Sequence, residues 1–140
     1  MNTTPALPST EEEIWRYSRI AELDLGSFAL GKARTETVGL DAVRVKDSLA
    51  GIAMNGAPDV FAELNASNAE TISLRIPKGV AVDGVIEIIH HIEADGVVVY
   101  PRLVIDAEPE SQVTVVERFI SNDNVKSLVV PVLEIRSAAS

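Results

Sequence analysis

The chain contains no cysteine, and this absence excludes several kinds of site at once. A disulfide framework, a thiolate nucleophile, thiolate-ligated iron–sulfur clusters and cysteine-type structural zinc sites all need that side chain. A chain without cysteine is most simply accommodated in the cytoplasm, and we expect that localisation.

Clusters of lysine and arginine are also missing. The chain has 21 acidic and 12 basic residues, which gives a formal net charge of −9. A nucleic-acid-binding protein usually presents a basic face, and an acidic surface is repelled by anionic membranes. No apolar run approaches the roughly 18 residues of a membrane span, and the first ten residues lack the basic start and apolar core of a secretory signal. We therefore expect no nucleic-acid partner, no membrane partner and no signal peptide.

Histidine is scarce, since His90 and His91 are the only two. Adjacent residues on a strand point to opposite faces, so these two cannot easily bind one metal ion. A cupin-like metal enzyme would need two histidines one residue apart, with a carboxylate and a third histidine. Neither a GxSxG nucleophile elbow nor a phosphate-binding glycine loop is present. We predict no catalytic, cofactor-binding or metal-binding residue, and we expect that the chain is not an enzyme.

The charged residues within the strand-rich part have ordinary structural explanations. Arg102 follows Pro101 and could pair with a buried carboxylate or reach the surface at the bend, and we favour the surface. Six carboxylates near predicted turns are expected to be solvated, because nothing fixes two of them across a cleft. They are Glu87, Glu93, Asp95, Asp106, Glu108 and Glu110.

Residues 72–136 form the region around which the chain is organised. Ile72, Leu74 and Ile76 alternate with polar residues, and Pro77-Lys78-Gly79 predicts a type II turn with proline at its second position. The continuous apolar runs at residues 85–89 and 128–132 favour strands buried on both faces, hence a stacked or closed architecture. Short strands in such a succession form a sandwich, a barrel or a solenoid, and the pattern does not choose among them.

The preceding residues predict helices and weak strands. Ser9 or Thr10 begins a short helix, which docks on the strands of this chain or on a partner, and we favour the former. One or two weak strands are expected within residues 32–46, and a short helix from Pro58 to near Asn68. We therefore predict two regions: a helical and mixed N-terminal region at residues 1–70 and a β core at residues 71–140.

An ordered set of segments resembles the N-terminal part of the SufB/SufD family, and SufD more than SufB. These proteins are cytosolic scaffolds of iron–sulfur cluster assembly. The segments are PSTEEEIWRYS at 8–18, FAELNA at 61–66, IPKGV at 76–80, YPRLV at 100–104, ESQVTVVE at 110–117 and VPVLEI at 130–135.

The resemblance implies a mainly β fold with an N-terminal helical arm, in which the β core is the first coils of a right-handed parallel β-helix. It also implies a SufD-like scaffold component that works with SufB-like and SufC-like subunits. Family members are longer, so the resemblance places the cluster-assembly residues and the SufC-binding region after Ser140, with no cofactor in this segment. A truncated solenoid would expose an uncapped end, and we expect either self-association through that end or a last strand that folds back over it. The alternatives are a compact β-sandwich or barrel in fold, and a free-standing β-rich protein- or ligand-binding module in function.

Overall fold

The computed structural model describes Leu7, residues 23–54 and residues 56–138. The helix that was predicted to begin at Ser9 or Thr10 lies outside these described residues.

Within the described residues the chain is mainly β, with ten strands, one α-helix and a short 3₁₀ helix at Leu25–Ser27. The strands are β1 (Ala29–Leu30), β2 (Arg34–Val38), β3 (Arg44–Val45), β4 (Glu70–Ile76), β5 (Ile86–Ile92), β6 (Val97–Val99), β7 (Pro101–Ala107), β8 (Val115–Ser121), β9 (Ser127–Val129) and β10 (Val132–Ser137). The α-helix, α1, spans Val60–Asn68.

The strands form three sheets, and the described residues contain no closed barrel. The first sheet has the order β10-β7-β4-β3, the second β2-β5-β8, and the third β1-β6-β9. β4, β5 and β6 belong to the first, second and third sheets respectively. β7, β8 and β9 follow the same order, so the chain makes two circuits of the three sheets. Each strand of the second circuit pairs in parallel with its counterpart in the first, and β10 then adds to the first sheet.

Residues 29–45 cover one end of all three sheets. β1 pairs in parallel with β6, whereas β2 and β3 pair antiparallel with β5 and β4. The weak strands that were predicted within residues 32–46 are therefore β2 and β3, and their pairing joins this segment to the strands after residue 70.

The inner core lies between the first and second sheets. Its buried members are Leu40, Val43, Leu74, Ile76, Ile86, Ile88, Leu103 and Ile105. We call the faces that carry these side chains the inner faces. A second cluster, around Leu25, Val98, Tyr100 and Val130, packs against Phe61 and Leu64 of α1.

Burial on both faces occurs at a different strand from the ones predicted. In β5, buried and half-buried residues alternate, and Val85 before it is 46% exposed. The run at 128–132 is divided between β9 and β10. The strand buried on both faces is β7, because it lies centrally in the first sheet between β4 and β10.

Two local predictions shift along the chain. The helix that was predicted to start at Pro58 starts two residues later, at Val60, and Asp59 caps it, because the extended backbone of Asp59 lets its carboxylate accept a hydrogen bond from the Ala62 N–H at 2.9 Å. The turn after β4 has Pro77 at its first position, since Val80 N–H donates to the Pro77 carbonyl and Gly79 takes a φ of +75°.

Candidate functional site

An inner cavity of about 420 Å³ lies beside the inner core, at the end covered by β1–β3. Ile72 and Val99 form apolar parts of its wall. The polar lining includes Lys32, Thr35, Thr37, Arg44, Glu70 and His90. A cavity with apolar walls and a few converging polar groups is the usual form of a small-ligand site.

A hydrogen-bonded line of three side chains borders this cavity. Thr35 Oγ1 lies 3.0 Å from His90 Nδ1, and His90 Nε2 lies 2.8 Å from Glu117 Oε2. The three residues come from β2, β5 and β8, neighbouring strands of the second sheet. The His90 ring also stacks on Phe119, with centroids 5.1 Å apart, because the two residues are direct partners in the parallel register.

The roles of these atoms depend on which ring nitrogen of His90 carries the proton. With that proton on Nε2, His90 donates to the Glu117 carboxylate, and Nδ1 accepts a hydrogen bond from the Thr35 hydroxyl. The order of hydroxyl, imidazole and carboxylate is the one that nucleophilic enzymes use, but here the imidazole is 5% exposed and held on both sides. His90 therefore has a structural role, and in this tautomer the Thr35 hydroxyl proton is engaged by His90.

The two histidines lie on opposite faces of β5, as adjacent strand residues must. His90 points inward, whereas His91 Nε2 lies 3.3 Å from Glu36 Oε2 on the outer face. Within the described part of the chain, no group of three histidine, aspartate or glutamate residues is placed to hold a metal ion.

The prediction that Arg102 reaches the surface is wrong. Its side chain is 7% exposed and pairs with Glu134, which is fully buried, at 2.9 Å from Nε and 2.8 Å from Nη2. Glu134 also accepts backbone hydrogen bonds from Gly51, Ala53 and Met54. The prediction was wrong because a loop from a distant part of the sequence covers this outer face.

Burial alone would raise the pKa of the Glu134 carboxyl. Hydrogen bonds from the Gly51 backbone, from Arg102 and from the Ala53 backbone outweigh that effect and hold its pKa below the usual value. Reasoning from sequence missed Glu134, because an acidic residue in an alternating strand ordinarily faces solvent.

Asp106 is the exception among the carboxylates that were predicted to be solvated. It is 5% exposed and accepts hydrogen bonds from Arg136 at 2.9 and 3.1 Å and from Arg75 at 3.2 Å. The Arg136 hydrogen bond lowers the pKa of the Asp106 carboxyl, burial opposes it, and Arg75 lowers it further. The three residues are adjacent in the first sheet, so Asp106 is a structural ion-pair centre.

The sheets end together at the side opposite β1–β3, where β8, β9 and β10 are edge strands. Leu133 and Ile135 are 53% and 56% exposed, although they lie in register with Leu103 and Ile105 of the inner core. The last apolar side chains of these inner-face rows are therefore exposed to solvent. We call this surface, formed by β8, β9 and β10, the open end.

Comparison of the chain with protein-family models, curated proteins and solved structures gives no match. No helix in the described residues is long and apolar enough to cross a membrane.

Proposed function

We propose that this chain is the N-terminal part of a SufD-like scaffold and forms the opening coils of a parallel β-helix. In this proposal the segment is structural rather than catalytic, and it works with SufB-like and SufC-like subunits in iron–sulfur cluster assembly. The single observation that carries the β-helix part of the proposal is the order of strands: β4, β5 and β6 lie in three different sheets in turn, and β7, β8 and β9 repeat that order in parallel register.

The inner faces support the same proposal. In a solenoid, equivalent positions of successive coils stack, and each coil buries its apolar residues against its neighbours. Leu74 and Ile105 are such a stacked pair, and Ile135 extends their row at the open end. Ile135 is 56% exposed, as expected for an inner-face residue of a coil that has no following coil stacked on it.

The family assignment depends on the ordered sequence segments, and the gene itself provides its sharpest test. We expect the reading frame to continue after the codon for Ser140 with further strand circuits and a helical region. SufB-like and SufC-like subunits should then co-purify with the full-length product. Deletion of residues 71–140 should abolish this co-purification. A stop codon directly after Ser140 would rule out the scaffold as described.

The open end gives a second test, on the chain itself. Unpaired strand edges and exposed apolar rows favour edge-to-edge association, so we expect a concentration-dependent dimer in sedimentation velocity. Ile135→Lys should shift it to monomer. Val38→Lys is the matched control, since Val38 is 53% exposed and lies on β2 at the other end. A monomer at all concentrations would contradict association through the open end.

The alternative is a free-standing β-rich module that binds a protein or small ligand. The inner cavity is the observation that favours this alternative. A reading frame that ends at the codon for Ser140 would favour the binding module over the scaffold.

A further inference from the structure

Arg44 lines the inner cavity without an ion-pair partner. In the antiparallel pairing of β3 and β4 it stands opposite Leu74, whose side chain belongs to the inner core, so Arg44 is on the inner face. Every other arginine within residues 23–54 and 56–138 has a carboxylate partner. Those arginines are Arg34, Arg75, Arg102, Arg118 and Arg136.

Arg44 is exposed, and it is a cation without a carboxylate partner in a chain with a formal charge of −9. An arginine guanidinium offers a planar set of N–H donors that matches a carboxylate in two parallel hydrogen bonds. The cavity lining therefore includes an anion-binding group that is not paired with the one carboxylate of the lining, Glu70.

A hydroxyl on the same inner face supplies a second donor. Thr37 is an exposed residue that lines the cavity opposite Ile88 of the inner core, and its hydroxyl has no hydrogen-bond partner in the described residues. Thr35, two residues earlier, is different, because its hydroxyl donates a hydrogen bond to His90 Nδ1 when His90 Nε2 donates to Glu117. Arg44 and Thr37 are thus two donors in the cavity lining without a partner in the described residues, and the ammonium of Lys32, which is paired with Glu70, also belongs to the lining.

The remaining wall limits the kind of anion. Ile72 and Val99 offer apolar surface, which favours a ligand with a short hydrocarbon part. Glu70 also lines the cavity, and its only ion-pair partner in the described part is the exposed Lys32 at 3.6 Å. A second negative charge on the ligand would be repelled by Glu70, so a monoanion fits better than a dianion such as phosphate.

From these observations we propose that the inner cavity binds a small monocarboxylate, with Arg44 holding the carboxylate, Thr37 donating to it, and Ile72 and Val99 contacting its tail. This site is independent of the scaffold proposal, since it requires only the residues described here.

The test is isothermal titration of the purified chain with butyrate, hexanoate, octanoate and inorganic phosphate. We expect saturable binding of at least one of the three carboxylates and weaker or no binding of phosphate. Arg44→Gln should weaken carboxylate binding about tenfold, the size of effect expected for one charged hydrogen-bonding group. Lys46→Gln is the matched control, because it removes the same charge two residues away and Lys46 does not line the cavity.

Two further variants separate a specific site from a general charge effect. Thr37→Val should weaken binding a few-fold, whereas Thr35→Val should leave it nearly unchanged, although both remove one hydroxyl from β2. Glu70→Gln should strengthen binding. Circular dichroism and thermal unfolding would establish that each variant is folded.

Several outcomes overturn the proposal. They are no carboxylate binding by the unaltered chain, equal weakening by Arg44→Gln and Lys46→Gln, or phosphate binding as tight as that of the carboxylates. If Arg44→Gln does not fold, the contrast between Thr37→Val and Thr35→Val decides.

Discussion

Replacing Glu134 by glutamine tests whether the buried ion pair holds the outer face of the first sheet. The substitution keeps the shape of the side chain and removes its charge. Arg102 would then be buried without a counter-charge. The new amide N–H₂ would also face the backbone N–H groups of Gly51, Ala53 or Met54, which need an acceptor.

The expected decrease in the free energy of unfolding follows from this arrangement. Removing one partner of a buried ion pair costs about 3–5 kcal/mol, because the other charge remains buried and uncompensated. That is a large part of the roughly 5–15 kcal/mol that stabilises a typical domain. With a urea m-value of about 2 kcal/mol per molar, the unfolding midpoint should fall by about 2 M.

Urea unfolding followed by circular dichroism measures this loss. Glu87→Gln is the matched control, since it breaks an Arg–Glu pair in which the Arg118 and Glu87 side chains are 56% and 33% exposed. Such exposed pairs contribute at most about 1 kcal/mol. If Glu134→Gln costs no more than Glu87→Gln, the buried pair does not stabilise the fold and the reasoning fails.

Three other measurements address single contacts. Asp59→Ala should lower the free energy of unfolding by about 1 kcal/mol, because the Ala62 N–H loses its cap; an unchanged urea midpoint would contradict this. Asp106→Asn should cost about 1–3 kcal/mol in the same assay, since the hydrogen bonds from Arg136 lose their charge; a cost no larger than that of Glu87→Gln would refute it. The pKa values of Asp106 and Glu134 are lowered in the fold, so their stabilisation is complete above the ordinary carboxyl values near 4 and is lost as pH falls below them. The urea midpoint should therefore drop between about pH 5 and pH 3, and by less in Asp106→Asn than in the unaltered chain.

Much of the local structure could be read from the sequence. Period-two alternation in residues 71–76 predicts β4, and the apolar stripe of Phe61 and Leu64 predicts α1. These patterns depend on neighbours within a few residues, where side-chain direction is set by backbone geometry alone. The opposite faces of His90 and His91 follow from the same rule.

The candidate site could be predicted only in part. Nothing near Thr35, Arg44 or Glu117 in the sequence marks these residues as functional, and they approach His90 or the inner cavity only through strand pairing. A signal that could have drawn attention to Arg44 is its place as a charged residue beside Val43 and Val45 in a weak strand.

By itself, the sequence determines a mainly β chain whose turns lie at glycine, proline, aspartate and asparagine residues. Tertiary structure alone decides which residues are buried together. Arg102, predicted to reach solvent, is instead covered by a loop that donates three backbone hydrogen bonds to its partner Glu134. The physical reason is that burial of a charge depends on compensation by groups far along the chain, and local periodicity contains no information about them.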